Sequence, residues 1–236
     1  MTTTTNTATT QHDADDRLRL EFNDWAKAGR GEGMEKGHRP AGEQAIALMK
    51  ISTDARVLDV GCGSGWATRL MAAQATNGSA VGIDISDEMI KVAQESTSAA
   101  NVTFQVAGAE QLPFADGEFS DAFSMESLYY YRDMLSALRE IKRVLRPGGQ
   151  FVSVVDLYQE NEPSHQWVEQ LKVPVQLLSA AEYRMLFESA GFTNVSDRRL
   201  YDRTPVPEDY SGGSFETRED LVKYRNAGSL FVRGEA

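Results

Sequence analysis

The sequence predicts an α/β protein with a mostly parallel sheet covered by helices on both faces. Short apolar segments alternate with segments of helical periodicity, and this alternation is typical of parallel sheets. The apolar segment at 57–60 also ends in glycines at positions 61, 63 and 65, which let the backbone come close to a ligand. With 41% hydrophobic residues in 236, the chain can build the core of one such domain.

The individual elements follow this alternation in order. Seven strands are predicted near 55–60, 79–84, 102–106, 120–124, 149–156, 192–200 and 228–234. Helices are predicted near 41–50, 65–75, 86–98, 133–145 and 179–190. The segments near 157–178 and 201–227 do not follow this alternation of strands and helices. We interpret them as insertions over the edge where the strands end, which is where open α/β sheets bind ligands.

Residues 1–40 precede the main domain, which is predicted to span 41–236. Residues 1–12 are rich in threonine and poor in apolar surface, which predicts a disordered tail. A short amphipathic helix is predicted from about Leu18. The segment 29–40 contains four glycines and a proline among charges, which predicts a flexible loop. Two roles remain open for this loop, a lid that closes over a site or a solvated linker.

The glycines after the first strand indicate a nucleotide-type site. Trp66 stands where the third glycine of G-x-G-x-x-G belongs, and this argues against a dinucleotide. A second apolar strand ends in Asp84, about twenty residues further on, where a carboxylate can accept hydrogen bonds from ribose hydroxyls. Asp59 and Asp84 are alternatively residues that only cap a helix or complete a turn.

From about residue 40 to 156 the sequence resembles the class I S-adenosylmethionine-dependent methyltransferases, in their branch that acts on small molecules. Four motifs carry the resemblance: VLDVGCGSG at 57–65, the second strand with Asp84, AGAEQLPFADGEFSDAFSMESLYYY at 107–131, and LREIKRVLRPGGQFVSV at 138–154. The resemblance implies a Rossmann-like sheet of seven strands with an antiparallel C-terminal hairpin. It also implies S-adenosylmethionine as the cofactor and S-adenosylhomocysteine as its product.

The resemblance further implies which residues hold the cofactor. They are Asp59, Gly61, Cys62, Gly63, Gly65, Asp84, Ile85, Met89, Ala109, Glu110 and Met125. This chain has Gly108 where the family often carries an aspartate. The contact with the adenine amino group is therefore expected from Glu110 or from a backbone carbonyl.

The reaction implied by the resemblance is an in-line attack of the acceptor on the sulfonium methyl, which needs positioning rather than a nucleophilic side chain. A base is needed only when the acceptor carries a proton. His38 and His165 are candidate bases because imidazole titrates near neutrality, and Tyr130 is a third candidate catalytic residue. Each histidine is alternatively a solvated loop residue. Tyr129, Tyr130 and Arg30 are expected to bind the acceptor.

Composition and the absence of certain motifs limit the ligands and the cellular location that we expect for this protein. A net charge of −11 argues against nucleic-acid binding, and the absence of a long apolar run argues against a membrane span. The N-terminus does not resemble a signal peptide and Cys62 is the single cysteine, so we expect a cytoplasmic protein. Zinc-ligand spacing is also missing, and no metal is expected.

The expected partner is a small-molecule acceptor, with the acceptor atom and the oligomeric state left open. Two other classes of function remain. One is an aminopropyl transferase or nicotinamide oxidoreductase on a similar sheet. The other is a noncatalytic module that senses the cofactor and binds another protein.

Overall fold

The computed structural model describes residues 6–236, with side chains described from Asp15 onward. Seven strands form one sheet in the order β3-β2-β1-β4-β5-β7-β6, where β7 runs antiparallel to both of its neighbours. The strands are β1 Arg56–Val60, β2 Ser79–Asp84, β3 Val102–Val106, β4 Phe119–Met125, β5 Leu145–Val155, β6 Thr193–Leu200 and β7 Ser229–Glu235. The predicted fold class, including the antiparallel C-terminal hairpin, is confirmed.

Seven α-helices are present in the described part of the chain. They are α1 Asn6–Lys27, α2 Arg30–Met49, α3 Trp66–Gln74, α4 Asp87–Glu95, α5 Met134–Val144, α6 Ala180–Ser189 and α7 Arg218–Ala227. Short 3-10 helices span Leu128–Tyr130 and Glu162–Trp167. Among the described residues, no helix has both the length and the apolar character that a bilayer span needs.

The core lies on both faces of the sheet because successive strand residues point to opposite sides. Val57 belongs to the cluster that packs against α2 and α3, whereas its neighbour Leu58 belongs to the cluster that packs against α5 and α6. The strand order reverses direction at β1, which lies between β2 and β4. The carboxyl ends of parallel strands on either side of such a reversal form a crevice where ligands bind.

The segment 29–40 differs from the predicted flexible loop, because α2 begins at Arg30 and continues to Met49. Arg39 accounts for part of this order, since it pairs with Glu35 and Glu43, each one helical turn away. One face of the C-terminal half of α2 is buried, so packing outweighs the low helix propensity of the glycines in this helix. Ala28 and Gly29 form the turn between α1 and α2, and Gly29 has a φ of 69°.

Two further differences concern segments predicted without helix. The predicted disordered tail covers residues 1–12, but α1 already begins at Asn6, and residues 1–5 lie outside the described residues. Once the docked part of a helix has formed, each added residue costs little, which explains the extension. The insertion at 201–227 contains α7, which begins where the Thr217 side chain accepts a hydrogen bond from the N–H of Asp220.

Candidate functional site

A cavity of about 1010 Å³ lies at the carboxyl ends of the central strands. Small-molecule pockets usually measure about 300–1,000 Å³, so this one lies at the upper end of that range and can hold a nucleotide-sized ligand. Its walls come from the loop after β1, the ends of β2 and β4, the tyrosines at 129–131 and the insertion segment 172–176. Side chains of α1 and α2 cover it.

The loop after β1 adopts backbone conformations that favour glycine. Gly61 and Gly63 have φ values of 77° and 50°. The N–H groups of Gly61 and Cys62 donate to the carbonyl of Ile83 at 2.9 and 2.8 Å, which ties the loop to the end of β2. A Cβ atom on Gly61 would lie 2.4 Å from Cβ of Ser127, whereas a Cβ atom on Gly63 would meet nothing within 4 Å. Gly63 therefore leaves open space toward the cavity.

Two buried carboxylates flank this loop and line the cavity. Asp84 accepts hydrogen bonds from the N–H groups of Gly63 and Ser86, both at 2.9 Å. Asp59 accepts a hydrogen bond of 2.6 Å from the hydroxyl of Thr68. Burial raises the pKa of Asp84, although its backbone hydrogen bonds partly offset this, and burial raises the pKa of Asp59 to about 7. Buried acceptors of this kind suit ribose hydroxyls and ammonium groups.

The structure gathers most of the predicted cofactor residues at the cavity. Those that line it are Asp59, Gly61, Cys62, Gly63, Asp84, Ile85, Met89, Ala109, Glu110 and Met125. Gly65 is not among the residues that line it, and its predicted contact with the cofactor stays a prediction. A Cβ atom on Gly65 would lie 2.5 Å from the ring of Phe104, and its φ is 76°, so this glycine serves the tight turn into α3.

The predicted catalytic and acceptor-binding residues divide into two groups. His38, Tyr129 and Tyr130 line the cavity. Arg30 and His165 are not among the residues that line it, and their predicted roles stay predictions. The guanidinium of Arg30 lies over the ring of Trp25 at 5.3 Å, and Nε2 of His165 lies 3.2 Å from the backbone carbonyl of Tyr158. Helix formation in α2 and packing of the 3-10 helix Glu162–Trp167 against α7 direct these side chains elsewhere.

A polar cluster of His38, Glu126 and Asp156, here called the HED cluster, was not predicted from the sequence as a unit. Nδ1 of His38 lies 3.4 Å from Oδ2 of Asp156. Glu126 accepts hydrogen bonds from the Asp156 N–H and, at 2.8 Å, from the Tyr129 hydroxyl. The hydroxyl of Tyr224 on α7 donates to Asp156 at 2.7 Å. His38 and Glu126 line the cavity.

The electrostatics of the HED cluster favour holding a proton. Burial and the nearby charge of Asp156 raise the pKa of Glu126 to about 8, although His38 opposes this. Burial alone would lower the pKa of His38, but its hydrogen bond to Asp156 and the charges of both carboxylates raise it overall. Burial would likewise raise the pKa of Asp156, but the hydrogen bond and charge of His38 lower it overall.

The HED cluster also offers a possible set of metal ligands. One ligand atom from each residue lies within 4.8 Å of the others, and an imidazole nitrogen with two carboxylate oxygens can bind a divalent cation. The expectation that no metal is used stays a prediction. Its three residues are far apart in the sequence, so ligand spacing could not detect them. A usable signal was present, since Glu126 and Asp156 directly follow β4 and β5, at the edge where α/β sheets bind ligands.

Comparisons with known proteins agree with this architecture. Residues 58–153 match a family model described as a methyltransferase domain. A chain of the solved complex between the Haloferax volcanii Trm112 methyltransferase activator and a methyltransferase is 36% identical, with a TM-score of 0.86. That match covers 91% of this chain and 97% of the other. The chain therefore belongs to the class I S-adenosylmethionine-dependent methyltransferases.

Two curated relatives carry more specific names. An O-methyltransferase of Pyrenophora dematioidea is 35% identical over 63% of this chain. The O-methyltransferase cnsE of Penicillium expansum is 36% identical over 77% of this chain. The matches span 58% and 66% of the lengths of these two relatives, respectively.

Proposed function

We propose that this protein transfers a methyl group from S-adenosylmethionine to a small-molecule acceptor by in-line displacement. The observation that carries the proposal is the pair of buried carboxylates, Asp59 and Asp84, on either side of the open turn at Gly63. They line a cavity of about 1010 Å³, a volume at the upper end of the range for small-molecule pockets. Membership in the methyltransferase family supports the same reaction.

The residues at the cavity fit the chemical groups of S-adenosylmethionine. Asp84 offers carboxylate oxygens to the ribose, and Ile85, Met89 and Ala109 offer apolar contacts for the adenine. Asp59 and the glycine turn would hold the methionine portion. When bound, this cofactor supplies a methyl group that is already activated by a sulfonium. The protein then has to align the acceptor with that methyl and to exclude water.

Helices α1 and α2 would exclude water from the reacting groups. Phe22 of α1 lies edge-to-face on Tyr130 at 5.0 Å, and both side chains line the cavity. Met34 and His38 of α2 line it as well. We assign acceptor binding to Tyr129, Tyr130 and the segment 172–176, because these residues line the cavity and come from segments other than the glycine turn. The buried thiol of Cys62 fits a reducing compartment, which supports a cytoplasmic location.

Calorimetry with S-adenosylmethionine and S-adenosylhomocysteine tests the proposed cofactor. We expect both compounds to bind, with the methyl donor converted to S-adenosylhomocysteine in the presence of an accepted substrate. NADH and decarboxylated S-adenosylmethionine are the matched controls, because preferential binding of either would favour one of the other enzyme classes. Binding of S-adenosylmethionine without turnover across a broad acceptor panel would favour a cofactor-sensing module.

A Trm112-type activator is a proposed protein partner. The solved Haloferax volcanii complex supports it, since the match covers nearly the whole of the compared chain. Strand β3 is an edge strand of the sheet, and 47% of the surface of its residue Val106 is exposed. An exposed edge strand can pair with a strand of a partner protein. Co-expression with the Haloferax volcanii activator and gel filtration test this. A Val106→Lys variant should weaken the complex, and separate elution of both wild-type proteins would contradict the proposal.

A further inference from the structure

We propose that Tyr131 distinguishes the methyl donor from the product, because its hydroxyl oxygen presents a lone pair, and no proton, to the methylsulfonium of S-adenosylmethionine. S-adenosylhomocysteine has a neutral sulfur without the methyl group, so the same oxygen favours the donor. This inference rests on the proposed function and adds the residue that discriminates between the two ligands. Tyr131 lines the cavity beside the glycine turn.

A chain of hydroxyl groups fixes the direction of the Tyr131 proton. The Ser127 hydroxyl donates to the backbone carbonyl of Val60 at 3.0 Å. Its oxygen also lies 2.6 Å from Oγ of Ser124 and 2.8 Å from the hydroxyl oxygen of Tyr131. A hydroxyl group has one proton to donate and two lone pairs that accept. Because the proton of Ser127 goes to the carbonyl, Ser127 accepts from both Ser124 and Tyr131.

This direction leaves the oxygen of Tyr131 as an acceptor for a ligand. Its proton points at Ser127, away from any bound molecule, and a lone pair of the phenol oxygen remains to accept. Burial and the charges of Asp84 and Asp59 raise the pKa of Tyr131, and its hydrogen bond with Ser127 offsets this only in part. The hydroxyl therefore stays protonated and neutral near neutral pH.

The position of this hydroxyl corresponds to the sulfonium in the proposed cofactor site. A Cβ atom on Gly61 would lie 3.3 Å from the hydroxyl oxygen, so a glycine there lets the hydroxyl approach the turn. The hydroxyl is also close enough to Asp84 and Asp59 to feel both charges. We assign the ribose to the first carboxylate and the methionine portion to the second, and the sulfonium joins these two portions. A group that is close to both carboxylates therefore faces the sulfonium.

The chemistry of a methylsulfonium suits an oxygen that only accepts. The positive charge on sulfur polarises the C–H bonds of the attached methyl group, which makes them weak hydrogen-bond donors. A phenol oxygen can accept from them, and its partial negative charge is attracted to the cation. A hydroxyl proton in the same place would repel the cation instead. The hydrogen bond to Ser127 thus makes Tyr131 selective for a positive ligand.

The backbone of Tyr131 is held before any ligand binds. Its N–H donates to the carbonyl of Leu128 at 3.1 Å. Its carbonyl accepts a hydrogen bond of 2.7 Å from Nε2 of Gln176, in the insertion that lines the cavity. A group that is already oriented loses little conformational freedom on binding, so more of its interaction energy appears as affinity.

Calorimetry of Tyr131→Phe with three ligands tests the assignment, because phenylalanine keeps the ring and removes only the oxygen. We expect the affinity for S-adenosylmethionine to fall about 2- to 5-fold and the affinity for S-adenosylhomocysteine to stay at the wild-type value. Sinefungin carries an ammonium group in place of the methylsulfonium, so its N–H donors should make it lose about 10-fold or more. Tyr201→Phe, an exposed position outside the cavity lining, should leave all three affinities unchanged.

The two serines provide a matched pair of variants for the direction of the proton. Ser127→Ala removes the group that accepts the Tyr131 proton, so the preference for S-adenosylmethionine over S-adenosylhomocysteine should fall. Ser124→Ala keeps that hydrogen bond and should retain the preference. Wild-type affinity for S-adenosylhomocysteine shows that each variant has kept its cofactor site.

The transferable methyl group gives a spectroscopic readout that does not depend on turnover. S-adenosylmethionine labelled with ¹³C at this methyl allows its protons to be observed by NMR in the complex. We expect them to resonate at lower field in wild type than in Tyr131→Phe, because a C–H···O contact deshields the proton.

Equal losses of affinity for S-adenosylmethionine and S-adenosylhomocysteine in Tyr131→Phe would overturn the inference. Unchanged affinity for the donor, or an unchanged methyl resonance, would overturn it as well. Failure of the proposed function is distinct, because the wild-type protein would then bind no S-adenosylmethionine or transfer its methyl group to no acceptor.

Discussion

The backbone N–H of Gly63 donates a hydrogen bond to Oδ2 of Asp84 at 2.9 Å. This bond joins the glycine turn after β1 to the carboxylate at the end of β2, and the other oxygen of Asp84 accepts the N–H of Ser86. One buried side chain thus fixes both the turn and the start of α4 while it lines the cavity. The proposed cofactor site depends on this arrangement.

Replacing Asp84 should weaken cofactor binding in proportion to the acceptors that are lost. We expect Asp84→Ala to cost about 1–3 kcal/mol of S-adenosylmethionine binding, because charge-assisted hydrogen bonds to the ribose disappear. Asp84→Asn keeps one carbonyl acceptor and should lie between the wild type and Asp84→Ala. Calorimetry gives the dissociation constants, and circular dichroism checks that each variant is folded. Equal affinity of Asp84→Ala and wild type would show that the ribose is held elsewhere.

The sheet and the glycine turn could be predicted because burial leaves a strong pattern in the sequence. β2 and β3 match their predicted bounds, and Asp84 and Gly63 meet where the resemblance implies. The HED cluster could not be predicted as a unit, since residues 38, 126 and 156 meet only through tertiary packing. The glycines and proline at 29–40 predict a loop, whereas the helix found there is supported by the ion pairs of Arg39, which form only once the helix exists.

The glycines of α2 offer a direct check on its helical structure. A Cβ atom at Gly33 would meet nothing within 4 Å, and this residue lies inside the helix. Gly33→Ala should therefore raise the free energy of unfolding by about 0.5–1 kcal/mol, because alanine loses less backbone entropy than glycine. Urea unfolding measures the change. Gly42→Ala is the matched control and should destabilise, since its Cβ would lie 2.3 Å from Trp66. If Gly33→Ala does not raise the free energy of unfolding, the result would contradict a stable helix at this position.

Asn23 should control how firmly α1 covers the cavity. Its buried amide donates to Asp87 at 2.9 Å and accepts the hydroxyl of Ser86 at 2.6 Å. Asn23→Ala removes both hydrogen bonds between α1 and the start of α4 and should destabilise the docked helix by about 1–3 kcal/mol. Hydrogen exchange over residues 15–27 should then become faster, and S-adenosylmethionine should dissociate faster.

Leu20→Ala provides the control for this prediction, because Leu20 lies on the same helix with 55% of its surface exposed. Its exchange and dissociation rates should match those of the wild type. If Asn23→Ala and Leu20→Ala behave alike, the amide contacts do not hold α1 on the domain.

Glu126 should make the ligand-free protein less stable as the pH rises. Its pKa is about 8 in the folded protein because of burial and the charge of Asp156, whereas the unfolded chain ionises near 4.5. The folded state therefore holds the proton more tightly, and wild-type stability declines between about pH 4.5 and 8 as the unfolded chain gains the advantage of ionisation. Glu126→Gln cannot ionise, so its free energy of unfolding relative to wild type should be higher at pH 9 than at pH 5, by about 1 kcal/mol or more. Urea unfolding at the two pH values measures this difference.

Gly33→Ala serves as the control, because an uncharged substitution should shift the free energy of unfolding equally at both pH values. A difference between Glu126→Gln and wild type that does not change with pH would show that the Glu126 carboxyl ionises normally in the fold.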